Sequence, residues 1–225
     1  MLPGARPARS ARPDRSARPA RSARSMRVIG GTLKGRRLAS FRGLGVRPTP
    51  DPVREALFNI LQGEPAAGGR VLDLFAGTGA LGIEALSRGA AKAVFVDSSR
   101  ASVSIIRKNI EICGLAARSR VINRDALAAL RGLAASGECF DLIFMDPPYE
   151  SGYVEKALGA IEAGGLLNPG GMVVAEASAR SGVDCEGLGL LGLKGTRRYG
   201  DTKVYFFTTR TPGEAPEGRG GRGRP

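Results

Sequence analysis

Asp146-Pro147-Pro148-Tyr149 is the part of the chain whose residue types most directly suggest chemistry. Consecutive prolines fix the backbone, and their carbonyls meet no competing local donor, so the turn presents acceptors in rigid positions. An exocyclic amine on a nucleobase delocalises its lone pair into the ring and is a poor nucleophile. The Asp146 carboxylate and the Pro147 carbonyl can accept its two N–H bonds and draw the nitrogen toward sp3 character. Pro148 completes the rigid turn, and Tyr149 offers a stacking face for the base. These four are the candidate catalytic residues, and the reaction they suit is methyl transfer to such an amine.

A second pattern lies upstream. Val71-Leu72-Asp73-Leu74-Phe75-Ala76-Gly77-Thr78-Gly79-Ala80-Leu81-Gly82 reads strand, glycine turn, helix, with glycines in GxGxxG spacing. Such a turn lets backbone approach a bound nucleotide closely. No GK[ST] follows, which argues against a phosphate-transfer loop. Spacing alone leaves a dinucleotide dehydrogenase open, because Asp97 closes the next strand 18 residues after Gly79. Asp73 argues the other way: a carboxylate before the loop repels a pyrophosphate but suits the cationic methionine end of S-adenosylmethionine. The expected contacts are Asp73 to the methionine amine, Asp97 to the ribose hydroxyls and Asp125 to the adenine amino group. Ala76, Gly77 and Gly79 supply the loop backbone, and Ser98 and Ala126 follow the two later acids. The plainer reading of the three acids is that each caps a following helix.

These residues need a scaffold, and the pattern after Arg70 provides one. Short β-rich runs alternate with helical stretches, the signature of a parallel α/β sheet. Strands are expected at 71–75, 93–96, 120–123, 141–145 and 172–176, and helices near 80–87, 100–113, 126–134 and 154–163. Residues 196–208 read as two antiparallel strands meeting at Gly200-Asp201, a dipeptide suited to a tight turn. Upstream, Val53, Ala56, Leu57, Ile60 and Leu61 recur at helical spacing, and 26–48 reads as a small basic β element. The expected organisation is therefore a disordered arm (1–25), the basic element (26–48), an α/β domain with its leading helix (49–211) and a flexible tail (212–225).

Composition narrows the chemistry. The 225 residues include no histidine, which removes Ser-His-Asp and Cys-His nucleophiles, HExxH zinc sites and imidazole proton shuttles. The three cysteines form no CxxC pair, and no metal site is expected. No apolar run approaches the roughly 18 residues that span a bilayer, so no membrane partner is expected and the location reads as cytoplasmic. The net charge of +13 points to a polyanionic partner, but it is unevenly spread. Residues 5–25 carry arginine at every third position for a net +6, and Met26–Thr211 keeps +6. The arm is either an RNA-binding segment or a compositional accident upstream of a start at Met26. Among Arg27, Lys34, Arg36, Arg37 and Arg47 no acid intervenes until Asp51, which favours phosphate contacts over a merely solvated face.

Taken together, Asp73 to Gly82, Asp146 to Tyr149, Arg27-Val28-Ile29-Gly30-Gly31, Gly35-Arg36-Arg37-Leu38 and the run from Arg47 to Asn59 (RPTPDPVREALFN) resemble the RsmD family of bacterial 16S rRNA guanine-N2 methyltransferases. The resemblance covers about Met26 to Thr208. It implies a Rossmann-like methyltransferase sheet, S-adenosylmethionine as cofactor, an N-terminal element that helps hold RNA, and Thr49 near the methionine end of the cofactor. It further implies 16S rRNA, or the assembling small subunit, as partner; the chain itself is expected to be a monomer. The tetrapeptide alone does not choose guanine, since Asp-Pro-Pro-Tyr also serves adenine-N6 methylation of DNA and related Asn-Pro-Pro motifs modify protein glutamines. A non-catalytic RNA-binding protein on the same scaffold is a further reading.

Overall fold

A computed structural model describes residues 26–41, 51–61, 67–147, 152–180, 182–184 and 187–210. Twelve helices and strands follow one another after the N-terminal segment: α1 (Asp51–Ile60), β1 (Arg70–Leu74), α2 (Ala80–Ser87), β2 (Lys92–Asp97), α3 (Arg100–Cys113), β3 (Ser119–Asn123), α4 (Ala126–Ala135), β4 (Phe140–Met145), α5 (Tyr153–Ala163), β5 (Leu167–Ser178), β6 (Leu191–Tyr199) and β7 (Thr202–Thr209). They build a seven-stranded sheet in the order β3-β2-β1-β4-β5-β7-β6. The first five strands are parallel, and β7 pairs antiparallel with both β5 and β6.

Helices cover both faces. One half of the core joins α1, α2 and α3 to Phe95, Phe144 and Val174. The other joins α4 and α5 to Leu72, Val94, Ile143 and Val173. Central strands buried on both faces have to be apolar throughout, and the buried part of β1, Val71–Leu74, obeys except at Asp73, which is 2% exposed. Helix starts are marked by side-chain caps: Ser99 accepts from the Ser102 N–H, and Asp125 accepts from the Ala128 N–H at 3.0 Å.

The expected elements after residue 70 all form, with β5 and β6 longer than the sequence pattern suggests. The small N-terminal β element forms as a short irregular hairpin around a 3-10 turn at Gly31–Leu33: Arg27 and Arg37 bridge antiparallel, the Val28 N–H donates to the Arg36 carbonyl at 2.9 Å, the Gly35 N–H to the Val28 carbonyl at 2.8 Å and the Leu38 N–H to the Met26 carbonyl at 2.9 Å. Its remaining backbone groups find partners outside the segment. The Ile29 and Gly30 N–H groups donate to the Glu84 carboxylate at 2.8 and 2.7 Å, the Leu33 N–H donates to Ser87 Oγ, and Asn109 both accepts from and donates to Ala39. Met26, Val28 and Leu38 are buried in the α1–α3 half of the core. Gly31 makes this approach possible: it has φ +72°, and a Cβ there would overlap the Ser87 carbonyl. The arm (1–25), the stretch holding Arg47 and Thr49 (42–50), the segment holding Pro148 and Tyr149 (148–151) and the tail from residue 211 lie outside the described residues.

Gly82 sits on the buried face of α2, where a Cβ would run into the Phe95 ring and lie 3.1 Å from Asp73 Oδ2. Gly82→Ala should therefore destabilise the protein by about 2 kcal/mol, as overpacking of a filled core does. An unchanged midpoint in urea unfolding would contradict this packing.

Candidate active site

The C-terminal ends of β1, β2 and β4, where parallel α/β sheets bind ligands, gather most of the residues singled out by sequence. β1 exits into Phe75, whose φ of 59° is unusual for a residue with a side chain. Gly77 and Gly79 also have positive φ, and the Gly79 N–H closes the turn on the Ala76 carbonyl at 2.6 Å. Asp97, at the end of β2, braces this turn. Its Oδ2 accepts the Gly77 N–H at 2.9 Å, and its Oδ1 accepts the Ser99 N–H at 2.8 Å.

Asp73 lies beneath the loop, with Oδ2 accepting the Gly82 N–H at 2.9 Å. Burial pushes its carboxyl up to about 8 against the lowering effect of that hydrogen bond, and the nearby charges of Asp146 and Asp97 push it further in the same direction. Asp146 follows β4, half-buried beside a buried Pro147. Burial raises its carboxyl to about 6. The acids Asp73, Asp97 and Asp146 thus share one electrostatic neighbourhood, suited to a cationic ligand group.

An open cleft of about 400 Å³ adjoins the loop, lined by Phe75, Val96, Asp97, Ser98, Arg124, Asp125, Ala126 and Tyr153. Of the residues expected at a cofactor, Asp97, Ser98, Asp125 and Ala126 meet in this cleft. Ala76, Gly77 and Gly79 form the turn beside it, and Asp73 supports that turn from below. Asp125 serves two ends at once. It caps α4, and it accepts a hydrogen bond from the Tyr153 hydroxyl at 2.7 Å. The Ala128 N–H, followed by the Tyr153 hydroxyl, holds its carboxyl below the usual carboxylate range.

Sequence reasoning missed Tyr153, Phe75, Val96 and Arg124 as cleft residues. Phe75 and Tyr153 meet edge to face at 5.4 Å and wall one side, the arrangement a flat aromatic ligand needs. Tyr153 carried a usable signal, since it is an aromatic residue opening a helix shortly after the Pro-Pro turn. Arg27, Lys34, Arg36 and Arg37 are exposed on the N-terminal segment, with the Arg27 carbonyl held by the buried Arg54 at 2.9 Å. Among the described residues there is no cluster of potential metal ligands, and no helix is long and apolar enough to cross a membrane.

Strand order, glycine turn and strand-end acids together define the class I fold of S-adenosylmethionine-dependent methyltransferases. A family model described as "Conserved hypothetical protein 95" matches residues 26–208, and the chain belongs to that family, the RsmD family. Ribosomal RNA small subunit methyltransferase D of Escherichia coli (strain K12) is 37% identical over 158 residues, covering 70% of this chain and 77% of that protein. The Bacillus subtilis (strain 168) protein YlbH is 38% identical over 185 residues, covering 82% of this chain and 100% of YlbH. Among solved structures, the Escherichia coli protein yhhF superposes with a TM-score of 0.73 at 33% identity, covering 82% of this chain and 98% of that one.

Proposed function

We propose that this protein methylates the exocyclic N2 amine of a guanine in 16S rRNA, with S-adenosylmethionine as methyl donor. The observation that carries the reading is the position of the Asp146-Pro147 acceptor pair directly after β4, the strand paired with β1, whose acid-lined glycine loop adjoins the aromatic-walled cleft. Similarity to a relative named as a small-subunit rRNA methyltransferase supports ribosomal RNA as the substrate. The exposed cations of residues 27–37 support a contact with its phosphates.

The donor brings an electrophilic methyl group on a sulfonium. Asp97 and Asp125 take hydroxyl and amine hydrogens of its nucleoside half, and Phe75 and Tyr153 pack its ring. Asp73 sets a carboxyl near its cationic end. On the substrate side, Asp146 and Pro147 accept the two amine hydrogens and turn the lone pair out of conjugation. Asp146 is also the nearby base for the proton that the methylated nitrogen releases, and its raised pKa suits it to that transfer. Orientation and exclusion of water carry the rest of the catalysis. A structured RNA must turn its guanine out of the stack to reach this turn.

The test is mass mapping of 16S rRNA. RNA from a strain lacking the gene should miss one methyl on guanine, and the purified protein with labelled donor should restore it as N2-methylguanosine on small subunits from that strain. Methyl incorporation at adenine N6, or none at all, would overturn the reading.

The pH profile provides a separate check. Asp146 is useful as a carboxylate, and its pKa is about 6. With saturating donor, so that ionisation of Asp73 near pH 8 does not limit binding, single-turnover methylation should therefore be level above about pH 7 and fall about tenfold for each unit below 6. A profile flat down to pH 5 would remove Asp146 from the proton path.

A further inference from the structure

The last two strands carry cations to the edge of the sheet where the candidate site lies. Met145, the last paired residue of β4, is level with Ala175 on β5, Ala175 with Tyr205 on β7, and Tyr205 with Thr196 on β6. Lys203 and Arg198 lie two residues beyond that level, toward the end from which the chain leaves β4 into Asp146. Neighbouring strands lie about 5 Å apart, so β7 and β6 stand about 10 and 15 Å from β4. The turn that joins them, at Gly200-Asp201, therefore flanks the site on the same edge of the sheet.

Lys203 and Arg198 are direct cross-strand partners, which sets their Cβ atoms about 5 Å apart on one face. That face is the one covered by α4 and α5, because Tyr205 and Phe207, on the same side of β7, pack there. Like charges in such a pair repel and weaken the ladder. Lys203 Nζ lies over the Tyr205 ring at 4.8 Å, and Arg198 Nε donates to the Gly200 carbonyl at 3.1 Å. Arg180 is tied in beside them, since the Ala179 N–H donates to the Asp201 carbonyl at 2.8 Å. Arg180 and Arg198 are exposed. Among the described residues no acid, Asp201 at the turn included, forms an ion pair with any of the three. The α5 acids Glu155 and Glu162 accept main-chain N–H groups at 184 and 189–191 instead.

A like-charged pair kept on a rigid hairpin, with a third cation beside it and no counter-charge from the protein, calls for an external polyanion. We propose that Arg198, Lys203 and Arg180 form a second phosphate-binding surface for the RNA. It lies on the other flank of the site from residues 27–37, which dock on α2 and α3 over the opposite face of the sheet. A nucleotide turned out of its stack leaves the phosphates of its strand on both sides of the pocket. Cations on two flanks hold both stretches and fix the register of the RNA without reading its bases. The inference rests on the ribosomal RNA reading above and adds where the remainder of that substrate is held.

The substrate for the test is small subunits from the strain lacking the gene. Arg198→Glu turns the like pair into an opposite pair with Lys203, so its melting temperature should match or exceed that of the wild type. The same variant should raise KM for subunits about tenfold, with kcat and the Kd of the donor within about twofold of wild type. The slope of log KM against log salt should become shallower by about 1.5 units, the contribution of two phosphate contacts. Arg180→Gln, outside the ladder, should raise KM about threefold. An unchanged KM or salt slope in Arg198→Glu, or an unchanged KM in Arg180→Gln, would overturn the proposal. Where Arg198→Glu melts below the wild type, Arg180→Gln decides by itself. Wild-type protein that methylates no RNA on these subunits would instead refute the ribosomal RNA reading, and this inference with it.

Discussion

Replacing Asp146 by asparagine should lower kcat for methyl transfer by about a thousandfold, while the donor still binds with a Kd within about threefold of wild type. Asparagine keeps one acceptor oxygen, but its NH2 opposes an N–H of the substrate amine, and the neutral amide cannot take the released proton. The effect belongs in kcat because the acceptor pair acts on the nitrogen as it turns nucleophilic, so the lost interaction is specific to the transition state. Donor binding should survive because the cleft lined by Phe75, Asp97, Asp125 and Tyr153 does not include Asp146. Removing the Asp146 charge also relieves one of the influences that raise the Asp73 carboxyl, so the pH dependence of donor binding should move to lower pH. The two readouts are calorimetric binding and single-turnover methylation on the same preparation. Asparagine that turns over at wild-type rate would place the chemistry elsewhere.

Glu84→Ala should lower stability by about 3 kcal/mol, the scale of breaking a buried ion pair from one side. Glu84 is 0% exposed, and its carboxylate accepts from the Ile29 N–H, the Gly30 N–H and Arg88 Nε. Deleting it leaves two main-chain donors and a guanidinium without their acceptor, next to the Phe58 ring over which Arg88 lies at 4.9 Å. For a domain of this size the melting temperature should drop by about 10 °C. RNA binding should weaken with it, because the segment bearing Arg27, Lys34, Arg36 and Arg37 loses its anchor. Glu84→Gln should fall between the two, since its amide oxygen satisfies one donor while its NH2 opposes the other. A melting curve within about 2 °C of wild type for Glu84→Ala would show that these contacts do not hold the segment.

Most of the sheet was legible because parallel strands are largely apolar and are separated by glycine and acid markers. Ala93–Val96, Leu142–Met145 and, but for Asp73, Val71–Leu74 are such runs, and the residues that follow them include Gly77, Gly79, Asp97 and Asp146. Residues 26–41 were legible as a β element but not in how they dock. Beyond the hairpin bonds within the segment, their backbone partners are Glu84, Ser87 and Asn109, more than 50 residues away, and no local periodicity encodes so distant a side chain. Tyr153 was hidden for a related reason. It looks like an ordinary helix residue until α4 and α5 pack and its hydroxyl meets Asp125. Asp73 lies within β1, Asp97 ends β2 and Asp125 caps α4 just after β3. What sequence could not separate is their bracing of the loop and helix backbone from any contact with a ligand, and in the structure each accepts at least one backbone N–H.

The docking of residues 26–41 has a consequence for how the chain acquires its structure. This segment is made before the helices that hold it, and its hydrogen bonds to Glu84, Ser87 and Asn109 span 54 to 70 residues of chain. Contacts of such separation pay their loop-closure entropy late, so this early-made segment is expected to be fixed late. With α2 and α3 formed against the sheet, the segment can dock as a single unit, and because its own hairpin is not part of the main sheet it is also a unit that can open without global unfolding. The cationic strip therefore sits on a part of the molecule whose local stability is set separately from that of the catalytic sheet.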